Sequence, residues 1–294
     1  MVKFKVMILL IILCSLLVGC NDQKRTLTIG MIPVRDKENM IENFEPIRQY
    51  LEDQLKVPVN VIVTKDYASL VNDMKNKTID IGWYGAFSYI AAESQLQLTP
   101  LVVQDRVGIG VYYQSMIITH SDSKIHSIDD LENSTFTFVD SGSTSGYVLP
   151  YALFKSRDLD YEQFFEHVLY SGSHHQVAFD IKNRVADAGA ISSTQFNRLV
   201  KDGVIDEKDY RVIWKSDDIP SSPFVARSDV DEEIQKKFTS ALVNIHLVQP
   251  EALEKFDDSI QKYVEVDKNI YHSIRNIATI LGKDYMVKYF LKSE

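Results

Sequence analysis

The sequence predicts an α/β protein made of two lobes joined by two crossover strands around a ligand cleft. Strands alternate with helices from Leu27 onward, the alternation breaks and restarts near Val111, and a short extended segment near Ser221 precedes a helical C-terminal part. With 294 residues and 45% hydrophobic content, the chain is long enough for two medium-sized lobes and carries no compositional sign of disorder.

In the first lobe, Leu27 to Ile32 reads as a strand, and Phe44, Ile47, Tyr50, Leu51 and Leu55 follow at helical spacing. Val57 to Thr64 is the next strand, Tyr67 to Lys75 a helix, and Ile79 to Trp83 a short buried strand. This βαβ rhythm belongs to a parallel sheet. A long strand over Val111 to Thr119 carries the chain into a second α/β block. That block has strands at Thr135 to Val139, His167 to Tyr170, Ala188 to Ile191 and Tyr210 to Trp214, with helices from about Ser145 and His174. Ser221 to Ala226 reads as the return crossover. From Asp231 on the pattern is helical, with one stripe of Ile234, Phe238, Leu242 and Ile245 and another of Tyr271, Ile274, Ile277 and Leu281. The lobes are then 27–114 plus 222–294 and 115–221.

The N-terminus is a targeting segment. Lys3 and Lys5 precede an apolar run from Val6 to Leu13, shorter than the roughly 20 residues of a membrane span. Leu17-Val18-Gly19-Cys20 closes it and resembles the bacterial lipoprotein box. That resemblance implies a signal peptide over 1–19, lipidation of Cys20 and a lipid-anchored extracytoplasmic protein; the polar residues Asn21 to Arg25 read as a short tether, which with Cys20 makes up 20–26. Removal of 1–19 takes Cys14 with it and leaves no other cysteine, so disulfides, thiol catalysis and cysteine metal sites drop out. The net charge of −9 and the lack of any Lys/Arg-rich run argue against nucleic acid as a partner.

The segment Asp140-Ser141-Gly142-Ser143-Thr144-Ser145-Gly146-Tyr147 lies between a strand and a helix. Glycines let the backbone approach, Ser143, Thr144 and Ser145 offer hydroxyls, and a helix start offers free N–H groups, so the segment suits an anion. The same composition also makes an ordinary N-cap. A nucleophile elbow is not expected, because Thr144 stands at its centre. Pro150 requires the helix to begin late or to bend. A second turn, Tyr170-Ser171-Gly172-Ser173-His174-His175, places a histidine at another helix start. Adjacent histidines diverge by roughly 100° on a helix, so His174 and His175 are not expected to face one ligand.

Six blocks, taken in order, resemble the phosphonate/phosphite-binding proteins of ABC importers. They are Lys65-Asp66-Tyr67-Ala68, Ile79 to Gly85, Tyr113-Gln114-Ser115, Gly142 to Tyr147 with Pro150, Ser171 to His174, and Trp214-Lys215-Ser216 with Pro220. The resemblance implies the type II periplasmic-binding-protein fold and a small phosphorus oxyanion as ligand. It also implies an ABC permease and its ATPase as partners, a monomer, and neither cofactor, metal nor catalysis. It makes Ser143, Thr144 and Ser145 the oxyanion donors, sets His174 against the same oxygens, and closes Tyr67 and Tyr113 over them. Trp83 and Tyr84 are expected to add an apolar wall. Where family members that take aminoalkyl phosphonates carry two carboxylates, Thr194 and Ser222 stand, which points to a ligand without a cationic tail. A sensor of the same fold, or a metal-binding receptor using His174 and His175, stays open at this level.

Overall fold

The computed structural model describes residues 25–290, so the predicted leader and Cys20, the expected lipidation site, lie outside the described residues. The chain opens with β1 (Leu27–Met31), α1 (Lys37–Leu55), β2 (Val59–Val63), α2 (Tyr67–Lys75), β3 (Ile81–Trp83), α3 (Ala86–Glu93) and β4 (Leu98–Arg106). The short β5 (Tyr112–Tyr113) leads to β6 (Ser115–His120), β7 (Thr135–Phe138), a π-helical turn at Thr144–Val148, α4 (Leu149–Ser156) and α5 (Tyr161–Phe164). Then come β8 (His167–Tyr170), α6 (His174–Lys182), β9 (Ala188–Ser192), α7 (Ser193–Lys201) and β10 (Tyr210–Lys215). The return is β11 (Ile219–Pro220) and β12 (Pro223–Arg227), followed by α8 (Glu232–Val248), α9 (Pro250–Asp257), β13 (Ile260–Glu265) and α10 (His272–Phe290).

Two sheets organise these elements. A six-stranded sheet has the order β13-β4-β12-β3-β1-β2, and a five-stranded sheet the order β10-β6-β9-β7-β8. In the first, β1 pairs parallel with both β2 and β3; in the second, β7 pairs parallel with both β8 and β9. Between them, β5 and β11 form a two-stranded antiparallel ribbon in which Tyr113 faces Ile219 and Tyr112 faces Pro220. The outgoing and returning crossovers therefore pair at the point where the chain changes lobe, which fits a hinge.

Three predicted elements need correction. The expected long strand over Val111 to Thr119 is interrupted at Gln114, whose N–H bonds the Ser193 hydroxyl (3.0 Å) and whose side-chain amide bonds the Ser216 carbonyl (3.1 Å). The C-terminal part is not wholly helical, because β13 pairs antiparallel with β4 at the sheet edge. Its polar residues suit an edge position and hide it from a periodicity reading. The strand β4 itself is absent from the predicted elements. Pro150 causes no conflict: it is the second residue of α4, and the π-helical turn before it supplies the late start.

The first sheet is pinned by a buried ion pair. Arg227, at the end of β12, bonds Asp80 at 3.0 Å, and both side chains are 6% exposed. The second Asp80 oxygen accepts the Thr28 N–H at 2.9 Å. Removing Asp80 leaves the buried Arg227 with only the more exposed Asp229 (2.8 Å) as counter-ion, so Asp80→Ala is expected to destabilise the protein by about 3 kcal/mol in urea unfolding. Lys77→Ala, which breaks an exposed pair with Asp229, is expected to cost less than about 1 kcal/mol in the same measurement. Equal losses would contradict this assignment.

Candidate functional site

Residues that follow the carboxyl ends of the parallel strands of both sheets meet in one cavity. Ile32 and Val34 follow β1, Tyr67 follows β2, and Trp83 ends β3; from the other lobe come Ser143, Thr144 and Ser145 after β7, His174 after β8, and Ser192 at the end of β9. Open α/β sheets bind ligands at this edge because the following helices present their N-termini there. Five helical first turns converge here, represented among the lining residues by Tyr67, Gly85, Thr144, His174 and Thr194. The cavity is narrow, with about 30 Å³ open to the centres of water molecules, which suits a compact ion.

The loop after β7 is held tightly. Ser143 caps the π-helical turn by accepting the Gly146 N–H at 3.1 Å, and the Val139 N–H returns to the Gly146 carbonyl at 3.0 Å. A side chain at Gly146 would collide with Val139, so the close approach requires glycine here. The Ser115 hydroxyl donates to the Ser145 carbonyl at 2.6 Å. Thr144 accepts the Phe87 N–H from the first turn of α3 at 2.8 Å, an inter-lobe bond. That bond occupies an acceptor position of the hydroxyl and leaves its proton free to donate.

His174 is buried and neutral. Burial lowers its pKa to about 3, with His175 adding to the effect. Its Nδ1 accepts the Ser192 N–H at 3.1 Å, so the proton resides on Nε2 and the ring is a hydrogen-bond donor. Gly172, at φ 78°, makes the turn that brings this helix start into place, and the His174 backbone N–H bonds the Val34 carbonyl of the other lobe at 3.3 Å. Burial pushes the Tyr113 phenol up to about 12 and raises the Tyr67 phenol still further. Both remain protonated donors, Tyr67 beside Ser143 and Tyr113 beside Ser145 and Thr144.

Of the residues named from the sequence, Tyr67, Trp83, Tyr113, Ser143, Thr144, Ser145, His174, Thr194 and Ser222 all line this cavity. Tyr84 does not. Alternation along β3 turns it to the opposite side, where its ring packs over Gly82 in the core. Trp83 contributes more than an apolar wall, since its indole Nε1 is buried without a partner. Sequence reasoning missed Gln104, Arg106, Ser192, Gln195 and Ser221. Gln104 and Arg106 lie on the unpredicted β4, and Ser192, Gln195 and Ser221 carry no motif of their own. Gln104 Nε2 and Ser221 Oγ are also buried without partners.

Two α/β lobes around a cleft built for a small anion define a solute receptor of the periplasmic-binding-protein type. The family model described as "ABC transporter, phosphonate, periplasmic substrate-binding protein" matches residues 29–271, and the chain belongs to that family. It is 27% identical over 229 residues to the phosphonates-binding periplasmic protein of Escherichia coli, covering 76% of this chain and 67% of the relative. It is 25% identical to the phosphate-import protein PhnD of Mycolicibacterium smegmatis, covering 88% and 87%. Two solved structures share the fold at a TM-score of 0.79: a binding-protein component of an ABC phosphonate transporter from Pseudomonas aeruginosa and PhnD1 from Prochlorococcus marinus in complex with methylphosphonate. The first is 24% identical and covers 90% of this chain and 93% of its own; the second is 22% identical and covers 87% and 98%.

The root of the anion loop holds a carboxyl under opposing constraints. Burial raises the Asp140 pKa to about 6, the Gly142 N–H (2.7 Å) pulls it down, and nearby Asp66 pushes it up again. The folded protein thus holds this proton more tightly than a free carboxyl does. The resulting stabilisation is full below the ordinary carboxyl range and is lost as pH rises through about 6. Asp140→Asn keeps an acceptor for Gly142 and removes the charge. We expect it to melt about 2–5 °C above the natural protein at pH 7.5, with the gap shrinking by pH 4.5. A constant gap across that range would contradict the assignment.

Thr144→Ala removes the cavity-lining hydroxyl that accepts the Phe87 N–H. It should weaken oxyanion binding by about 1–3 kcal/mol in calorimetry with little change in thermal stability. Unchanged affinity would take this loop out of the site.

Proposed function

We propose that the protein captures a small phosphorus oxyanion, namely phosphite, methylphosphonate or phosphate, by closure of its two lobes, and hands it to an ABC permease powered by a separate ATPase. The observation that carries this reading is the donor surplus of the cavity. Its described lining offers three loop hydroxyls, two phenols, the His174 Nε2–H, an unpartnered indole N–H and amide N–H, and the Arg106 cation, with no carboxylate among them. A tetrahedral anion has the acceptor lone pairs to satisfy this set, whereas a neutral or cationic ligand would leave donors unpaired at about 1–3 kcal/mol each.

The small volume and the presence of Thr194 and Ser222 at the wall favour a ligand without an ammonium tail. In this reading the lobes are 27–114 plus 222–294 and 115–221, each holding one of the two large sheets, and the β5–β11 ribbon acts as the hinge. Cys20, behind a signal-peptide-like segment, would carry a lipid that holds the receptor, as a monomer, at the outer face of the cytoplasmic membrane.

Isothermal titration with phosphite, methylphosphonate, phosphate and 2-aminoethylphosphonate tests the reading. Tight binding of at least one of the first three, and at least about tenfold weaker binding of the fourth, is expected. Silence from all four would contradict the ligand class. Ser222→Asp is expected to raise the affinity for 2-aminoethylphosphonate relative to phosphite, and an unchanged ratio would displace Ser222 from the substituent end of the ligand.

A further inference from the structure

Two buried arginines of one lobe and a half-buried arginine of the other gather around a single buried carboxylate beside the cavity. Arg106, a lining residue, bonds Asp257 Oδ2 at 2.8 Å through one Nη and Gln104 Oε1 at 3.0 Å through the other. Arg35, only 3% exposed, reaches the Phe256 carbonyl at 3.3 and 3.4 Å, lies 5.4 Å over the Phe256 ring, and leaves its Nε without a partner. Arg198 comes from α7 in the other lobe and crosses to the same Phe256 carbonyl at 2.7 Å and to Asp257 Oδ1 at 3.5 Å. The partly exposed Asp202 adds a contact to Arg198 at 3.3 Å.

The local charges agree with this geometry. Burial pushes the Asp257 carboxyl up, but Arg106, Ser259 and Arg35 outweigh it and hold the carboxyl well below the usual range. Burial, and then Arg198, lower the Arg35 pKa to about 10. Three guanidiniums against one buried carboxylate leave positive charge next to the anion cavity, in a protein whose net charge is −9. Arg198 also lies one turn beyond Thr194 and Gln195, which line the cavity, so one helix touches both the ligand position and the opposite lobe.

We propose that Arg198 is the positioning residue of ligand-driven closure. It is the member of the cluster supplied by the second lobe, and it docks on Phe256 and Asp257 only when the lobes meet. Docking brings a third guanidinium towards two others, and like charges oppose it. A bound anion beside Arg106 offsets that repulsion, so the clasp forms with ligand and opens without it. The proposal rests on the hinge-closure reading above.

The kinetics separate the clasp from a general loss of the site, because contacts made only in the closed state act on release. Stopped-flow mixing of the full chain with methylphosphonate, followed by the fluorescence of Trp83 and Trp214, should give Arg198→Gln a dissociation rate about tenfold faster than the natural protein, with an association rate within about twofold. Lys201→Gln breaks an exposed inter-lobe pair on the same helix (Lys201–Asp258, 2.5 Å) and should leave both rates within about twofold. An unchanged dissociation rate in Arg198→Gln, a loss carried mainly by association, or an equal effect of Lys201→Gln would overturn the proposal. Small-angle scattering of the natural protein with and without methylphosphonate distinguishes the two levels. Absence of ligand-dependent compaction sinks hinge closure itself, whereas compaction with unaltered Arg198→Gln kinetics sinks only the clasp.

Discussion

The arrangement depends on a surplus of hydrogen-bond donors buried where two lobes meet. Each lobe ends its parallel strands at the same place and starts its helices there, so N–H groups and hydroxyls face one another across the cleft. A few are satisfied between the lobes, as when Phe87 donates to Thr144 and His174 to the Val34 carbonyl. The remainder need an acceptor-rich partner. Burial of unpaired donors is costly, and this converts the closed cleft into an instrument of selection for anions.

Local electrostatics run against the charge of the whole molecule. A net charge of −9 offers no general attraction for a phosphorus oxyanion. The attraction must therefore be built at short range, from helix N-termini, neutral His174, protonated phenols and the Arg106 cation. The neutral donors add to the attraction without adding buried charge, and the one lining cation, Arg106, is held against Asp257 at 2.8 Å. Asp140 is the counterweight, a carboxyl at the root of the anion loop that burial makes reluctant to ionise.

Much of this was legible in the residues, for physical reasons that differ from place to place. The strands of the parallel sheets are short apolar runs bounded by turn residues, and the periodicity of α2 and α6 begins at capping residues, Asp66 and Ser173, that announce their N-termini. The anion loop was visible because its chemistry is contiguous in sequence. Arg106, Gln104 and the Asp257 cluster were not, because they assemble from the loop after β1, β4, α7 and α9, and no local pattern links residues so far apart. Edge strand β13 was hidden by its polar residues, and Tyr84 was misplaced because a resemblance between blocks says nothing about which face of a three-residue strand a side chain takes.

The central claim, that an anion completes the donor set between the lobes, is tested most directly by a crystal structure of the protein grown with methylphosphonate. The account predicts closed lobes, phosphonate oxygens within hydrogen-bond distance of Thr144, Ser145 and the Nε2 of His174, and a methyl group directed away from that loop. A phosphonate bound outside this cavity, or bound inside it with His174 Nδ1 turned to the ligand in place of Nε2, would contradict it.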